Sequence, residues 1–174
     1  METIYLGGGC FWCIEAVFSK VQGVSASVSG YMGGHLPNPD YESVCTGRTG
    51  HVEVVKIDYD PHQITLNTLL EIFWTVHDPT TPDRQGNDKG PQYKSAVFYT
   101  TDQQKEVIYQ SMKDVASALY DEKIVTYVAE APVFYAAESY HQQYFDNHPG
   151  QAYCSVVISP KVRKLKKLFA HYLK

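Results

Sequence analysis

The apolar residues of the chain recur with two periods, and each period predicts a different kind of element. From residue 10 to about 20, Phe11, Ile14, Val17 and Phe18 follow the spacing of one face of an amphipathic helix. The sequence predicts further helices over 66–78, 102–120, 138–145 and 160–169. Stretches that resemble strands instead occupy 3–6, 24–28, 51–60, 94–100 and 124–130.

The order of these elements predicts the fold class. Strands and helices alternate as β-α-β, β-α and β-α-β, which indicates an α+β protein. We expect a two-layer α/β sandwich with a ferredoxin-like core of mixed sheet and helices packed on it. Two polar stretches, 31–49 and 78–93, are too long for simple connections. Functional loops are therefore expected there.

Composition and charge restrict the class of function. A chain of 174 residues that is 44% hydrophobic is expected to form one domain over 1–174. Its net charge of −4 argues against binding to nucleic acid or an anionic membrane. No apolar run approaches the roughly 18 residues of a membrane span, and the first residues do not resemble a signal peptide. We therefore expect a cytoplasmic protein with reduced thiols, for metal binding or redox chemistry.

The segment LGGGCFWCIE, residues 6–15, carries the strongest chemical signal. Cys10 follows a predicted strand and three glycines and opens a predicted helix. Unpaired amides at a helix start favour a thiolate, so the position should lower the pKa of Cys10 and make it a nucleophile. The glycines should allow a substrate to approach the backbone closely. Phe11 and Trp12 are suited to enclosing a small apolar group.

Cys13 leaves other chemistry open. Its CxxC spacing from Cys10 occurs in thioredoxin-like redox motifs and in half of a zinc site. Cys45 and Cys154 each stand alone and no two histidines are closely spaced, so we expect no metal. A CxxC thiol–disulfide oxidoreductase remains the alternative enzyme. A metal-binding or thiol-based sensor module is the non-enzymatic alternative.

Five segments resemble, in order and spacing, the motifs of the peptide methionine sulfoxide reductase A family. They are GGGCFWCIEAVF, GYMGG, NPDYESVCTGRTGHVEVV, GNDKGPQYKSAVFY and YHQQYF, and they span roughly residues 5–158. The resemblance implies thiol-dependent reduction of the S epimer of methionine sulfoxide, free or in peptides and proteins, and hence repair of oxidative damage. It also implies that thioredoxin is the external reductant and that there is no bound cofactor.

The same resemblance implies roles for the groups that react. Cys10 would attack the sulfoxide sulfur, release methionine and become a sulfenic acid. Glu53 would protonate the sulfoxide oxygen, and the apolar strand around it should raise the pKa of its carboxyl. Tyr41 and Tyr93 would donate hydrogen bonds to that oxygen. Glu15 is the rival carboxyl, but it is expected to serve helix packing.

Roles for the surrounding residues are also implied. Phe11 and Trp12 would cradle the methyl group on sulfur, and Asp88 matches an outer position that supports the site through water. No metal ligand is implied.

The second thiol of the reaction is left open between two cysteines. Cys154 matches the resolving cysteine of the family, although Ala152 replaces a glycine of that motif. Its segment contains proline and glycine and is expected to move toward the site. Cys13 is the second choice, because a bridge to Cys10 within one helical turn is expected to strain the helix. Cys45 is expected to be a packing thiol.

Overall fold

A mixed six-stranded sheet forms the centre of the protein in the computed structural model, which describes residues 1–174. The strand order is β7-β6-β1-β3-β2-β8, and a separate two-stranded hairpin joins β4 to β5. The strands are β1 (Glu2–Gly7), β2 (Val24–Met32), β3 (Val52–Tyr59), β4 (Arg84–Gln85), β5 (Asp88–Lys89), β6 (Ala96–Tyr99), β7 (Tyr127–Glu130) and β8 (Phe134–Ala136).

Seven α-helical segments accompany the strands. They are α1 (Phe11–Phe18), α2 (Tyr41–Cys45), α3 (Leu66–Val76), α4 (Asp102–Ser111), α5 (Ser117–Leu119), α6 (Tyr144–Asn147) and α7 (Ser159–Leu168). A π-helical turn, Met112–Ala116, links α4 to α5, and a second, Cys154–Ile158, leads into α7. Short 3-10 turns occupy Pro91–Tyr93, Ser139–His141 and Ala170–Tyr172.

Antiparallel pairing dominates the sheet and places β1 and β3 side by side at its centre. Leu6 of β1 lies opposite Val55 of β3, and Tyr31 of β2 lies opposite Glu53 of β3. Only β6 and β7 run parallel. The prediction of an α+β protein with a mixed sheet and helices packed on it is therefore confirmed.

The main core lies between one face of the sheet and the helices α1, α3 and α7. Alternation along β3 explains it: Val55 and Ile57 face this core, whereas Val52 and Val54 belong to a small cluster on the other face. Burial of apolar side chains at about 25 cal/mol per Å² stabilises this layered arrangement. No helix combines the length and the apolar composition that a bilayer crossing requires.

Several local elements differ from the sequence-based expectations. Strand β2 continues to Met32 rather than ending at 28, and the expected loop 31–49 contains α2. The expected loop 78–93 contains the β4–β5 hairpin. The helix expected at 138–145 is a 3-10 turn followed by α6, because Gln143 between them adopts φ 53°, in the left-handed region that ends a helix.

The segment before α7 also differs from expectation. Cys154 was expected in a segment free to move, but residues 152–168 are continuously helical and the Cys154 side chain is fully buried. Its thiol donates to Gln151 Oε1 at 3.6 Å. The mobility on which the preference for Cys154 was based is therefore not supported by the fold.

A buried histidine ties three elements of the fold together. His77, directly after α3, contacts Phe73 O through Nδ1 at 2.5 Å and Ser95 Oγ through Nε2 at 2.7 Å. Ser95 Oγ lies 2.7 Å from Thr126 Oγ1, which precedes β7. Burial lowers the pKa of His77 to about 3, so the ring is neutral in the folded protein.

We predict that His77 makes the protein less stable in mild acid. The unfolded chain binds a proton at His77 below its ordinary pKa of about 6.5, whereas the folded protein does so only near about 3. The stability that depends on this ring is complete above pH about 6.5 and should fall by about 1.4 kcal/mol per pH unit below it. Urea unfolding of the parent and of His77→Gln at several pH values between 7.5 and 4.5 should give a shallower loss for the variant. Parallel curves would contradict this prediction.

Candidate active site

The junction between β1 and α1 places Cys10 at the start of a helix. Cys10 is the N-cap residue, with φ −59° and ψ 127°, and its side chain is 9% exposed. Gly9, with φ 91°, sits so close to the β4–β5 hairpin that an added Cβ would lie 2.7 Å from Gln85 Cβ. The glycine at this position is therefore required by the close approach of the protein's own loop, rather than by a substrate.

Glu53, on the central strand β3, contacts the first backbone amide of helix α1. Phe11 N donates to Glu53 Oε1 at 3.1 Å, and this bond satisfies one of the unpaired amides of the helix start. Glu53 is only 1% exposed, and its second oxygen, Oε2, is buried without a hydrogen-bond partner. A buried carboxyl with one free oxygen is suited to holding a proton.

The pKa of Glu53 also indicates that this carboxyl holds a proton. Burial raises the pKa of Glu53 to about 8, the Phe11 amide opposes the shift, and the charge of Asp88 adds to it. The carboxyl therefore remains protonated at neutral pH and becomes a poor acid above pH about 8. The raised pKa expected from the sequence is found.

The pKa of Cys10 moves in the direction opposite to that expected. Burial raises it, followed by hydrogen bonding to the Cys13 thiol and the negative charge of Glu53, whereas the Trp12 amide at the helix start lowers it. The helix start is thus outweighed by burial. Cys10 is a thiol in the resting site and must lose its proton when it reacts.

Tyr41 and Tyr93 approach the same carboxyl from two different loops. Tyr41 opens α2, whereas Tyr93 ends the 3-10 turn Pro91–Tyr93. Burial, followed by the charge of Glu53, raises the pKa of both phenols, so both remain donors. Glu138 Oε2 accepts the Tyr41 amide at 3.0 Å and anchors that loop.

Cys45 differs from the packing thiol expected. It is exposed at the last residue of α2. Its thiol and the Tyr41 hydroxyl influence each other's pKa, which places Cys45 at the rim of the site. Its exposure makes it the thiol that reagents in solution reach most readily.

A stack of rings encloses the side of the site next to Cys10. Trp12 lies parallel to Tyr144, with ring centroids 3.7 Å apart, and its indole N–H donates to His141 Nδ1 at 3.1 Å. Phe11 is fully buried and packs 5.2 Å from the His141 ring. Trp12 is half-buried and therefore presents the accessible ring of the pair.

Glu15, on α1, holds the segment that carries the His141 and Tyr144 rings against this helix. It is 3% exposed, and its oxygens accept the Gln143 amide at 2.8 and 2.9 Å. Gln143 lies between His141 and Tyr144, both of which contact Trp12. The structure thus agrees with the packing role expected for Glu15.

Asp88 contacts the site through a tyrosine. Asp88 Oδ2 accepts the Tyr153 hydroxyl at 2.6 Å, and the same hydroxyl lies 3.9 Å from Cys13 Sγ. The Tyr153 ring also packs edge-on against Trp12, with centroids 5.8 Å apart. A support through water was expected for Asp88, but the direct partner is Tyr153.

The structure thus brings Cys10, Cys13, Glu53, Tyr41 and Tyr93 together, with Asp88 one contact away through Tyr153. Sequence reasoning assigned no role to a further set of site residues: Tyr31, Glu138, His141, Tyr144 and Tyr153. Tyr31, whose hydroxyl donates to Glu138 Oε1 at 2.9 Å, lies inside the GYMGG motif, and His141 and Tyr144 lie inside the YHQQYF motif; these two motifs were the available signals. No group of three His, Cys, Asp or Glu side chains forms a metal-binding arrangement.

Comparison with known proteins decides the family. A family model described as peptide methionine sulfoxide reductase matches residues 2–173. The chain belongs to the peptide methionine sulfoxide reductase family. Peptide methionine sulfoxide reductase MsrA of Chromobacterium violaceum is 52% identical over 174 residues, covering 99% of each chain. The protein of the same name from Sulfolobus acidocaldarius is 51% identical, covering 97% of this chain and 96% of the other.

Solved structures from this reductase family share the fold. Mxr1 of Saccharomyces cerevisiae in reduced form superposes with a TM-score of 0.81 at 36% identity, covering 88% of each chain. Mxr1 in complex with Trx2 superposes with a TM-score of 0.57 at 26% identity, covering 82% of this chain and 84% of that one. The resemblance inferred from the five motifs is therefore confirmed.

We predict that Glu53→Gln makes Cys10 of this reductase more acidic. Above pH about 8 the Glu53 carboxyl is ionised and its negative charge raises the pKa of Cys10; the substitution removes that charge and keeps a group of similar shape. Alkylation of Cys10 by iodoacetamide, followed by mass spectrometry in a Cys45→Ser background, should begin at lower pH in the variant.

The control is Glu71→Gln, which changes an exposed glutamate on α3. It should alkylate at Cys10 with the parent's pH dependence. An unchanged profile in Glu53→Gln would show that the carboxyl and the thiol do not interact.

Proposed function

We propose that the protein reduces the S epimer of methionine sulfoxide, free or in peptides and proteins, to methionine. One observation carries this proposal: the Cys10 thiol lies beside Glu53, a buried carboxyl that is protonated at neutral pH. Reduction of a sulfoxide needs a nucleophile for sulfur and an acid for oxygen, and both are present. The family model and the MsrA relatives support this activity.

The first step follows from these two groups. Cys10 loses its proton and attacks the sulfoxide sulfur, while Glu53 transfers its proton to the sulfoxide oxygen. The oxygen then passes to the Cys10 sulfur, the methionine leaves, and the proton lost by the thiol restores Glu53. Cys10 ends as a sulfenic acid. The raised pKa of Cys10 means that this proton is lost within the site rather than beforehand.

Tyr41 and Tyr93 stabilise the oxygen as its charge changes. Burial keeps both phenols protonated, so both can donate to the sulfoxide oxygen and then to the hydroxyl. Trp12 contacts the methyl group from the accessible side, and Phe11 forms the floor beneath it. Asp88 supports the site from outside by accepting a hydrogen bond from the Tyr153 hydroxyl.

The resolution of the sulfenic acid involves two thiols, and we propose that Cys13 acts before Cys154. Cys10 is the N-cap residue, outside the helix proper, so its side chain reaches toward the first turn without distorting it. A hydrogen bond between the two thiols raises the pKa of Cys10 and lowers that of Cys13, which supports a short distance between their sulfur atoms. Burial, followed by the charge of Cys13, raises the pKa of Cys154. The two thiols are therefore near enough to interact, which supports a second exchange from Cys13 to Cys154.

Thioredoxin is the proposed external reductant for the final disulfide. The complex of Mxr1 with Trx2 supports a partner of this kind. We further propose that no bound cofactor takes part, because thiols carry all the electrons. A location in the cytoplasm, where thioredoxin keeps thiols reduced, and a single functional domain over 1–174 complete the proposal.

A CxxC thiol–disulfide oxidoreductase is the second candidate function. The contact between the thiols of Cys10 and Cys13 favours it. Thiol–disulfide exchange, however, has no oxygen leaving group for Glu53 to protonate. Consumption of one sulfoxide epimer separates the two functions.

We predict that the parent protein consumes only the S epimer of a methionine sulfoxide with dithiothreitol as reductant. Cys10→Ser should abolish the reaction because the nucleophile is lost. Glu53→Gln should slow methionine release in a single turnover by roughly 10²- to 10⁴-fold, because the amide has no transferable proton. Tyr41→Phe and Tyr93→Phe should each cost less, since one phenol remains.

Glu71→Gln serves as the control and should release methionine at the parent's rate. Turnover of both epimers, or an unimpaired Glu53→Gln variant, would overturn the assigned chemistry.

We predict that the first disulfide joins Cys10 to Cys13 and that Cys13–Cys154 follows. One equivalent of substrate without reductant, quenched at successive times and mapped by mass spectrometry, should show this order. Cys154→Ser should stop at Cys10–Cys13, and Cys45→Ser should behave as the parent does. If Cys13→Ser formed a Cys10–Cys154 bridge at the parent's rate, Cys154 would be the direct resolving thiol.

A further inference from the structure

Tyr153 connects the Cys13 thiol to a carboxylate. Its hydroxyl donates to Asp88 Oδ2 at 2.6 Å, so its oxygen lone pairs remain available on the other side. Cys13 Sγ lies 3.9 Å from that oxygen, within the range of a hydrogen bond involving sulfur. Because the phenol proton is committed to Asp88, the thiol is the donor in the second contact. The resulting chain runs from Cys13 S–H to the Tyr153 oxygen, and from the Tyr153 O–H to Asp88.

The direction of this chain matches the need of one chemical step. A thiol attacks a sulfenic acid only as the thiolate, so Cys13 must give up its proton. Cys13 is 2% exposed, which keeps bulk water from taking that proton directly. Cys154, the other candidate, donates to Gln151 instead and has no such connection.

We propose that Tyr153 and Asp88 form the proton path that activates Cys13 when it attacks the Cys10 sulfenic acid. This inference rests on the proposed function and extends it to the second half of the reaction. Tyr153 is the catalytic residue in contact with the reacting thiol, and Asp88 is the proton acceptor behind it.

The step balances without an added oxidant. The Cys13 proton passes to the Tyr153 oxygen while the Tyr153 proton passes to Asp88. The Cys13 sulfur bonds to the Cys10 sulfur, and the S–O bond of the sulfenic acid breaks. Hydroxide leaves and takes the proton of Glu53, which gives water. Cys13 is oxidised and Cys10 is reduced to the disulfide level, and Asp88 and Glu53 then re-equilibrate with solvent.

The charges around Cys13 support the direction of transfer. In the resting site the Cys10 thiol and the Lys161 ammonium group lower the pKa of Cys13, whereas burial and the charge of Asp88 raise it. Lys161 is fixed in place because its Nζ donates to Val76 O at 3.0 Å. Burial raises the pKa of Tyr153, so the phenol bridges the two groups without becoming a resting phenolate.

The test isolates the disulfide step from sulfoxide reduction. Protein carrying Cys45→Ser and Cys154→Ser, in which the bridge cannot pass on to Cys154, is oxidised at Cys10 with one equivalent of hydrogen peroxide, and the Cys10–Cys13 bridge is followed by rapid quench and mass spectrometry. Tyr153→Phe keeps the ring against Trp12 but removes the bridging oxygen, and Asp88→Asn keeps a partner for Tyr153 but removes the proton acceptor. Tyr109→Phe, an exposed tyrosine on α4, is the matched control.

At neutral pH, both Tyr153→Phe and Asp88→Asn should form the bridge roughly 10²-fold more slowly than Tyr109→Phe. The deficit should shrink by about tenfold per pH unit in alkaline solution, as solvent supplies the thiolate. A bridge that forms at the control rate in Tyr153→Phe, or a deficit that stays constant with pH, would overturn the proposal.

A parallel arm with methionine S-sulfoxide separates this inference from the proposed function. If the parent releases no methionine, the proposed function fails, while the peroxide arm still reports on the proton path. If Tyr153→Phe slows methionine release as much as it slows the bridge, Tyr153 acts in substrate binding or structure, and the inference is wrong.

Discussion

One hydrogen bond, from the Phe11 amide to the Glu53 carboxyl, holds the candidate site together. It joins the first turn of α1, the helix that begins directly after Cys10, to the central strand β3, 42 positions away along the chain. The same contact sets where Cys10, directly before Phe11, lies relative to the acid. Because β3 is paired on both sides by β1 and β2, the carboxyl has little freedom to move. The position of the nucleophile is therefore fixed by the sheet.

Burial of the Glu53 carboxyl beside α1 determines which groups of the site are charged. Burying an ionised carboxylate with a single donor is expensive, and protonation relieves that cost. Glu53 thus holds the proton that an acid catalyst needs, and burial, the largest cause of the raised pKa at Cys10, Tyr41 and Tyr93, keeps those three groups protonated as well. The resting site holds its protons. Sulfoxide reduction needs these bound protons, because Glu53 must transfer one to the sulfoxide oxygen as the Cys10 thiol loses another.

The sequence predicted well what depends on local pattern. Helix α1 and strand β3 have strong periodicity, and the position of Glu53 in an apolar strand was enough to expect its raised pKa. The pKa of Cys10 could not be predicted, because it depends on burial and on a carboxyl brought in from another strand. Likewise the left-handed Gln143 ends an expected helix, and only the folded chain shows that Glu15 holds it. The direct Asp88–Tyr153 contact depends on a hairpin that meets the last helical segment, and no local pattern encodes that meeting.

The central claim is that Glu53 is a protonated acid at neutral pH, and its titration tests this most directly. Protein labelled with ¹³C at the glutamate side-chain carboxyls, compared with Glu53→Gln to assign the resonance, would report the charge of this one group. The account predicts a titration near the value to which burial raises the pKa, about 8. A resonance that titrates near 4.5, as an ordinary glutamate does, would contradict it.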